Sequence, residues 1–595
     1  MAMMSRTKPS VVSISIAAIR HARSLFPTQT AFAFSSCLAL EHPSTTLAME
    51  KQGRASLPPY RPAEALPFEL AQHCGIYFEE KLYTQALNLL SNILVSGAPA
   101  WSRAFVPSSA HLAIAVTLLV HPTTTTRAKT AEEKEAPSAA LRLLRLVNTY
   151  VGSISARFDV AFSFTHFVSS RHGTRRRVTE EEELSNELQD DGMKPIDSTL
   201  AQSASLWSRA EDFWHVVGWA FNCSVLHPER WERWHLWLQF MCEVLEDDWK
   251  ERLRRFEDAM AEDTDPTASR QVQHEQILKE SLIFRYLTSG SVGYGRSRRI
   301  LRAILADGSP SSVNEFHEVF KNELKMPKKE TENLKKRAAQ VNIDEDQYGD
   351  YLSNEDDDGS EDSAEIKKED ALRKSKRSKK TPRKPDSDAD TGLDSPGSLQ
   401  LDGSVSSLGG FTSLALRQRL MSLLSNVSDH LPTSFIALED LYHLFVENIR
   451  HLSLPAFHAF ISPSTLPHFS PEAQTTLCEF MLFHLRESSA PDSGEEYLNQ
   501  EKLEKCFLPY AASSTGVIDN TKMSIALESL LVLLAEGDLL EVTPELKKAV
   551  EEGIAARAAK AQTDNRKNRK VDNIAYSWLM ESAERLMFLV NSLLV

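Results

Sequence analysis

Seven of the chain's nine tryptophans fall between residues 203 and 260, and this cluster is where any reading of the fold has to begin. Leu206, Ala210, Phe213, Val217 and Phe221 recur every three or four residues, with Trp207 and Trp214 widening the same stripe, as on one face of a helix. Pro228 interrupts, and Trp231, Trp234, Leu238, Met241 and Leu245 draw a second stripe. Two helices with such broad apolar faces cannot both face water, so an antiparallel hairpin covered by further helices is expected. Each large ring buries roughly 150–250 Å² and its indole N–H calls for a partner. Core packing is the expected role of these rings. Trp237 and Trp249, the outermost, are the candidate partner-binding anchors. Arg230, Glu232 and Arg233 between the rings suggest a nucleic-acid stacking platform, but Glu243, Glu246, Asp247 and Asp248 alongside would repel phosphate.

A formal net charge of -15 over 595 residues argues against general affinity for nucleic-acid backbones or anionic membranes and leaves protein partners open. The six cysteines, Cys37, Cys74, Cys223, Cys242, Cys478 and Cys506, are widely spread, which points away from a disulfide framework or a zinc site and towards a reducing compartment. No apolar run is long enough for a transmembrane helix, so no membrane partner is expected. Residues 1–48 have no acid before Glu41, carry Arg6, Lys8, Arg20 and Arg23, and include an amphipathic stretch from Val11 to Phe26. Three readings stay open there: a mitochondrial targeting peptide, a disordered arm, or an untranslated extension ahead of Met49. Residues 1–62 are accordingly set apart from the fold.

From Ala65 to Leu94 two short helices are expected, one carrying Phe68, Leu70, Ala71, Cys74 and Phe78, the other Leu82, Ala86, Leu89, Leu90 and Ile93, with the turn at Glu80 and Lys81. The pair resembles a tetratricopeptide-like helical hairpin, which implies hairpins that bury their faces by stacking. Further helices are expected at 108–120, 137–151, 158–169, His274 to Leu287, Arg296 to Leu305 and Val313 to Phe320. Residues 170–202, where Arg175, Arg176 and Arg177 meet Glu180 to Glu183, read as a disordered surface insertion in a helical lobe spanning 63–325. Gly290, Gly293 and Gly295 lack the strand and the Gly-Lys-Ser/Thr ending of a phosphate loop, so they read as a connection between helices.

Between residues 326 and 410 the composition changes. Residues 341–370 hold thirteen acids against two lysines, and residues 373–384 hold eight basic residues in twelve. Apolar burial cannot offset the ordering entropy of such a segment, so a disordered linker is expected. Helical periodicity returns from Phe411 to the end, forming a second helical lobe over 411–595. Ser470–Pro471 and Thr543–Pro544 give helix-start signals there, and an apolar last helix from Ala575 to Leu594 packs back on this lobe or enters another subunit.

The motifs exclude more chemistry than they supply. There is no His-Glu-x-x-His, Cys-x-x-Cys, nucleophile elbow, Walker or kinase signature, so no catalytic, cofactor-binding or metal-binding residue is assigned and no enzyme is expected. His215, His227 and His235 are not spaced as ligands on one helix face, and Asp247 and Asp248 read as solvated surface. The most specific signal is Arg373, Lys374, Lys376, Arg377, Lys379, Lys380, Arg383 and Lys384, a cationic run suited to the acidic grooves of a nuclear import receptor. Within it Thr381-Pro382-Arg383-Lys384 resembles a proline-directed kinase site, and Ser353 and Ser360 sit among acids as acidophilic kinases prefer. A phosphate on Thr381 adds about -1.5 to -2 charges to the cationic run and would weaken its contacts. The expectation is an all-α nuclear or nucleolar scaffold with protein-subunit partners, in ribosome-precursor maturation or chromosome maintenance. The alternatives are a nucleic-acid-associated factor acting through the basic run, and a helical enzyme whose site is assembled from distant segments.

Overall fold

The computed structural model describes residues 60–96, 102–164, 196–262, 268–289, 295–325, 408–463, 469–492, 498–562 and 569–592. Among them the chain is all-α apart from one pair of three-residue strands. Strand β1 (Ala63–Ala65) precedes α1 (Phe68–Glu79) and α2 (Tyr83–Val95), and β2 (Ala104–Val106) follows them. Then come α3 (Ser109–Val120), α4 (Ala131–Tyr150), α5 (Phe158–Ala161) and α6 (Leu206–Arg209). The tryptophan hairpin is α7 (Phe213–Leu226) and α8 (Pro228–Glu262), followed by α9 (Ala268–Lys279), α10 (Leu282–Thr288), α11 (Gly295–Ile304) and α12 (Pro310–Glu315). The C-terminal helices are α13 (Gly410–His430), α14 (Leu438–Ile449), α15 (Leu454–Ile461), α16 (Pro471–Leu485), α17 (Gln500–Cys506), α18 (Val517–Glu536), α19 (Pro544–Gln562) and α20 (Arg569–Ser592).

The 35-residue α8 is the spine. It packs on α7, on α3 and α4 before it in the chain, on α9 and α10 after it, and on α13 from the C-terminal stretch. Helix α7 is covered in turn by α11, α12 and α13, and α11 also meets α14. The two helical stretches on either side of residues 326–397 therefore share one apolar core and form one compact unit. At its far end α20 packs on α18 and α19, burying Leu579, Leu586 and Val590, so the apolar last helix returns to its own chain.

Local chemistry sets where helices start. The periodic stripe from Leu206 to Phe221 is broken because Asp212 turns its carboxylate back onto the His215 N–H (2.7 Å), ending α6 and capping α7. Ser281 divides the helix expected from His274 to Leu287 by accepting from the Phe284 N–H. Helix α4 begins six residues before the expected position, at a capping box between Thr130 and Glu133. The helix expected over Val313 to Phe320 stops at Glu315, and Phe316 instead drives its ring against Gly218, where an added Cβ would meet it at 2.3 Å. Ser470 and Thr543 cap α16 and α19 as their sequence signals indicate, accepting from Ala473 N and Leu546 N.

Several expectations on boundaries are corrected. Tyr60 to Pro62 belong to the folded body: Arg61 donates to Leu94 O and Ser102 O, both at 3.0 Å. Of the expected insertion at 170–202, residues 196–202 are described, and Ile196 and Leu200 are buried in the core. Likewise Leu408, inside the expected linker, is a buried core residue. Gly409 and Gly410, the last residues of the expected linker, lead into and open α13, and the remaining residues of the N-terminal arm, the insertion and the linker lie outside the described residues.

Candidate functional site

The eight basic residues at 373–384 and the acceptors Ser353, Ser360 and Thr381 lie outside the described residues, but the two roots of the stretch that carries them do not. Both roots flank the α7–α8 turn. On the outgoing side, the Glu323 carboxylate is fully buried and accepts from Arg230 Nε (2.8 Å), Arg230 Nη2 (2.5 Å) and the Trp234 indole N–H (2.7 Å). The same arginine donates to Val120 O and Thr125 Oγ1, so α8, the end of α3 and residues 320–325 are locked together. Asn222 holds the approach by donating to Phe316 O, and His215 is 3.1 Å from His317 O through Nε2.

On the returning side, Gly409 lies directly against Ser224, and its positive φ of 80° is the left-handed conformation that glycine adopts without a Cβ penalty. Ser413 Oγ reaches Ser224 Oγ at 3.3 Å. One turn on, Arg417 is wholly buried and has no carboxylate among its hydrogen-bond partners. Its guanidinium donates to Ile304 O (2.6 Å) and Ala306 O (2.8 Å) at the negative end of α11, and lies 4.0 Å above the Phe221 ring. Burial pulls its pKa down to about 9, against a smaller opposing pull from Asp307. These contacts join α7, α11 and α13 at the point where the chain returns.

The proposed anchors are corrected. Trp237 is fully buried and Trp249 is 3% exposed, with Trp237 edge-on to Trp234 and Trp249 edge-on to His430. Neither ring reaches a partner on the surface, because α8 is covered on several sides rather than only by α7. Asp248 is not solvated either: it is buried and accepts from Ser153 Oγ, Leu282 N and Arg252 Nε, while Asp247 accepts from Asn148 Nδ2. The Arg-Ser-Arg-Arg run opening α11 is answered by acids. Arg298 pairs with Glu447, Arg299 with Asp212 and Glu211, and Arg302 with Glu315. Among the described residues no helix is long and apolar enough to cross a membrane, and no cluster of three metal-ligating side chains is found.

One surface feature was not anticipated from sequence. A groove of about 470 Å³ runs beside the strand pair, lined by Glu64, Ala65, Phe68, Val106, Ser155 and Arg157 among others. Phe68 stands 54% exposed on its rim, and Arg157 holds a left-handed backbone (φ 53°) at the start of α5. The strands forming its wall are parallel and three residues long, with Ala63 opposite Ala104 and Ala65 opposite Val106. Such short alanine-rich strands carry no alternating pattern, so only the exposed Phe68 among helix-stripe residues hinted at a surface here. No protein-family model matches this chain, and no curated protein resembles it in sequence.

Proposed function

We propose that the chain is a non-enzymatic adaptor of a nuclear protein assembly, presenting an import signal at residues 373–384 from a rigid helical body. The observation that carries this reading is the pairing of that cationic run with roots fixed on both sides by buried charges, Glu323 with Arg230 on one side and Arg417 on the other. A signal built that way is offered to a receptor while the body that positions it stays intact. The import receptor and other protein subunits are the proposed partners, and ribosome-precursor maturation and chromosome maintenance are the proposed settings. The acid-paired arginines of α11 and the net charge of -15 favour protein over nucleic acid as the main partner.

The test is a full-length fluorescent fusion in which Arg373, Lys374, Lys376, Arg377, Lys379, Lys380, Arg383 and Lys384 are all replaced by Gln. Nuclear accumulation of the parent fusion and its loss in the variant are expected. Equal accumulation of the two would overturn the import signal. Affinity purification of the parent chain followed by mass spectrometry then identifies the assembly.

A further inference from the structure

We infer that His443 and His484 together hold a divalent transition-metal ion of the zinc or copper(II) class between α14 and α16. The two helices pack on each other, and the imidazoles meet across them with ring centroids 5.2 Å apart and planes inclined at 60°. A shared ion imposes that spacing. A Zn–N bond of about 2.0–2.1 Å puts each ring centroid about 3.2 Å from the ion, and a tetrahedral angle at the ion then separates the centroids by about 5.2 Å. Rings packed only for burial spread over about 4.5–7 Å, so the nitrogen chemistry has to agree with the spacing.

It does agree. His484 Nδ1 is 3.0 Å from Phe480 O, and because a carbonyl only accepts, Nδ1 carries the proton and Nε2 the lone pair. A backbone carbonyl on the far ring nitrogen is the arrangement that orients metal-ligating histidines and raises their basicity. Burial, with the His484 ring adding to it and Asp440 opposing, holds the His443 pKa below its ordinary value, so this imidazole too offers a lone pair at neutral pH. Glu439 lies one turn before His443, with Oε1 3.9 Å from His443 Nε2. Two ligands of one tetrahedral ion stand about 3.4 Å apart, so a small turn of the carboxylate would bring it in as a third. The preformed part is therefore the histidine pair, in keeping with the lack of a ready group of three among the described residues. Imidazole nitrogens select zinc, copper(II) or nickel(II), whereas magnesium takes oxygen ligands. An ion that binds only where the folded helices bring the rings together stabilises the folded chain by mass action.

This inference is independent of the adaptor reading. The untagged full chain, stripped of metal with a chelator, is titrated with zinc chloride by calorimetry beside His484→Ala and His443→Phe. His484 is exposed, and the phenyl ring of His443→Phe keeps the edge contact that His443 makes with Phe480, so both variants are expected to melt like the metal-free parent. The parent is expected to bind one zinc ion per chain, each variant at least tenfold more weakly, and zinc to raise the melting temperature of the parent alone. His443→Cys, which keeps a ligand of the right class, is expected to retain binding. Bound copper(II) should show coupling to two imidazole nitrogens in its electron paramagnetic resonance spectrum, and to one in each variant.

A lack of saturable zinc binding would overturn the proposal. So would equal affinity and stabilisation in the parent and His484→Ala, which would assign the zinc to others of the chain's 18 histidines. Equal stabilisation by magnesium chloride would also overturn it, since that ion would mark a carboxylate site. If His443→Phe melts early, His484→Ala and the copper spectrum still decide.

Discussion

Glu323 illustrates how single side chains hold this molecule together. Its carboxylate lies out of reach of water and relies on Arg230 and Trp234 for every bond at Oε1. Truncating one member of a buried ion pair strands the other charge, which costs about 3–5 kcal/mol. Glu323→Ala should lower the unfolding free energy by that amount in urea titrations, whereas joint replacement of Arg230 by Met and Glu323 by Leu should lose much less. A loss below about 1 kcal/mol for the single variant would mean that water reaches the site. The buried histidines give the body an acid limit. Burial holds the pKa of His111 down at about 4, against a weaker opposing hydrogen bond at Ala71. Burial, aided by Arg127, Arg230 and Arg209, takes His121 down to about 3. Both are neutral in the folded chain, and the unfolded chain takes up their protons below 6.5. Their contribution is complete above pH 6.5 and declines as pH falls towards 4 for His111 and 3 for His121. A His111→Asn chain should show a shallower dependence of unfolding free energy on pH between 6.5 and 4 than the parent.

At the scale of elements, what the sequence revealed and what it concealed separate along physical lines. The tryptophan hairpin was legible because apolar residues at helical spacing have few other uses, and α16 because Ser470 and Pro471 mark its start by local chemistry alone. The break before α7 was not legible. Asp212 is acceptable within a helix, and only its bond to His215 N makes it a cap. Thr130 and Glu133 did spell out a capping box, so the early start of α4 was readable and was missed. The strand pair was beyond reach: three residues pair with three others some forty positions away, with alanine on the outer strand and no alternation. The basic run was legible from composition, while its roots were not. Arg230 meets Glu323 across 93 positions and Arg417 meets Ile304 across 113, and no local pattern records partners at such separations.

At the scale of the whole molecule, the described helices on both sides of residues 326–397 form one compact unit with one apolar core, even though the sequence has two helical halves. Helix α13 packs on α7, α8 and α11, and α14 packs on α11, so each half supplies part of the other's core. Residues 60–325 produced alone would expose the faces that α13 and α14 cover, and should aggregate. Produced together with residues 408–592 they should co-purify, and the full chain cut by protease between 326 and 407 should still elute as a single species. Separation of the two fragments at moderate ionic strength would show that the shared core is too weak to join them.

With exit and re-entry of residues 326–407 set on either side of one helical turn, the span between them is fixed by the body and not by the number of residues in between. The cost of closing a loop between two fixed ends grows only logarithmically with its length, each doubling adding about 0.6 kcal/mol. This region is therefore the natural port of the molecule: sequence can be inserted, shortened or exchanged there, and new addresses or binding motifs grafted in, with little consequence for the helices on which it is mounted.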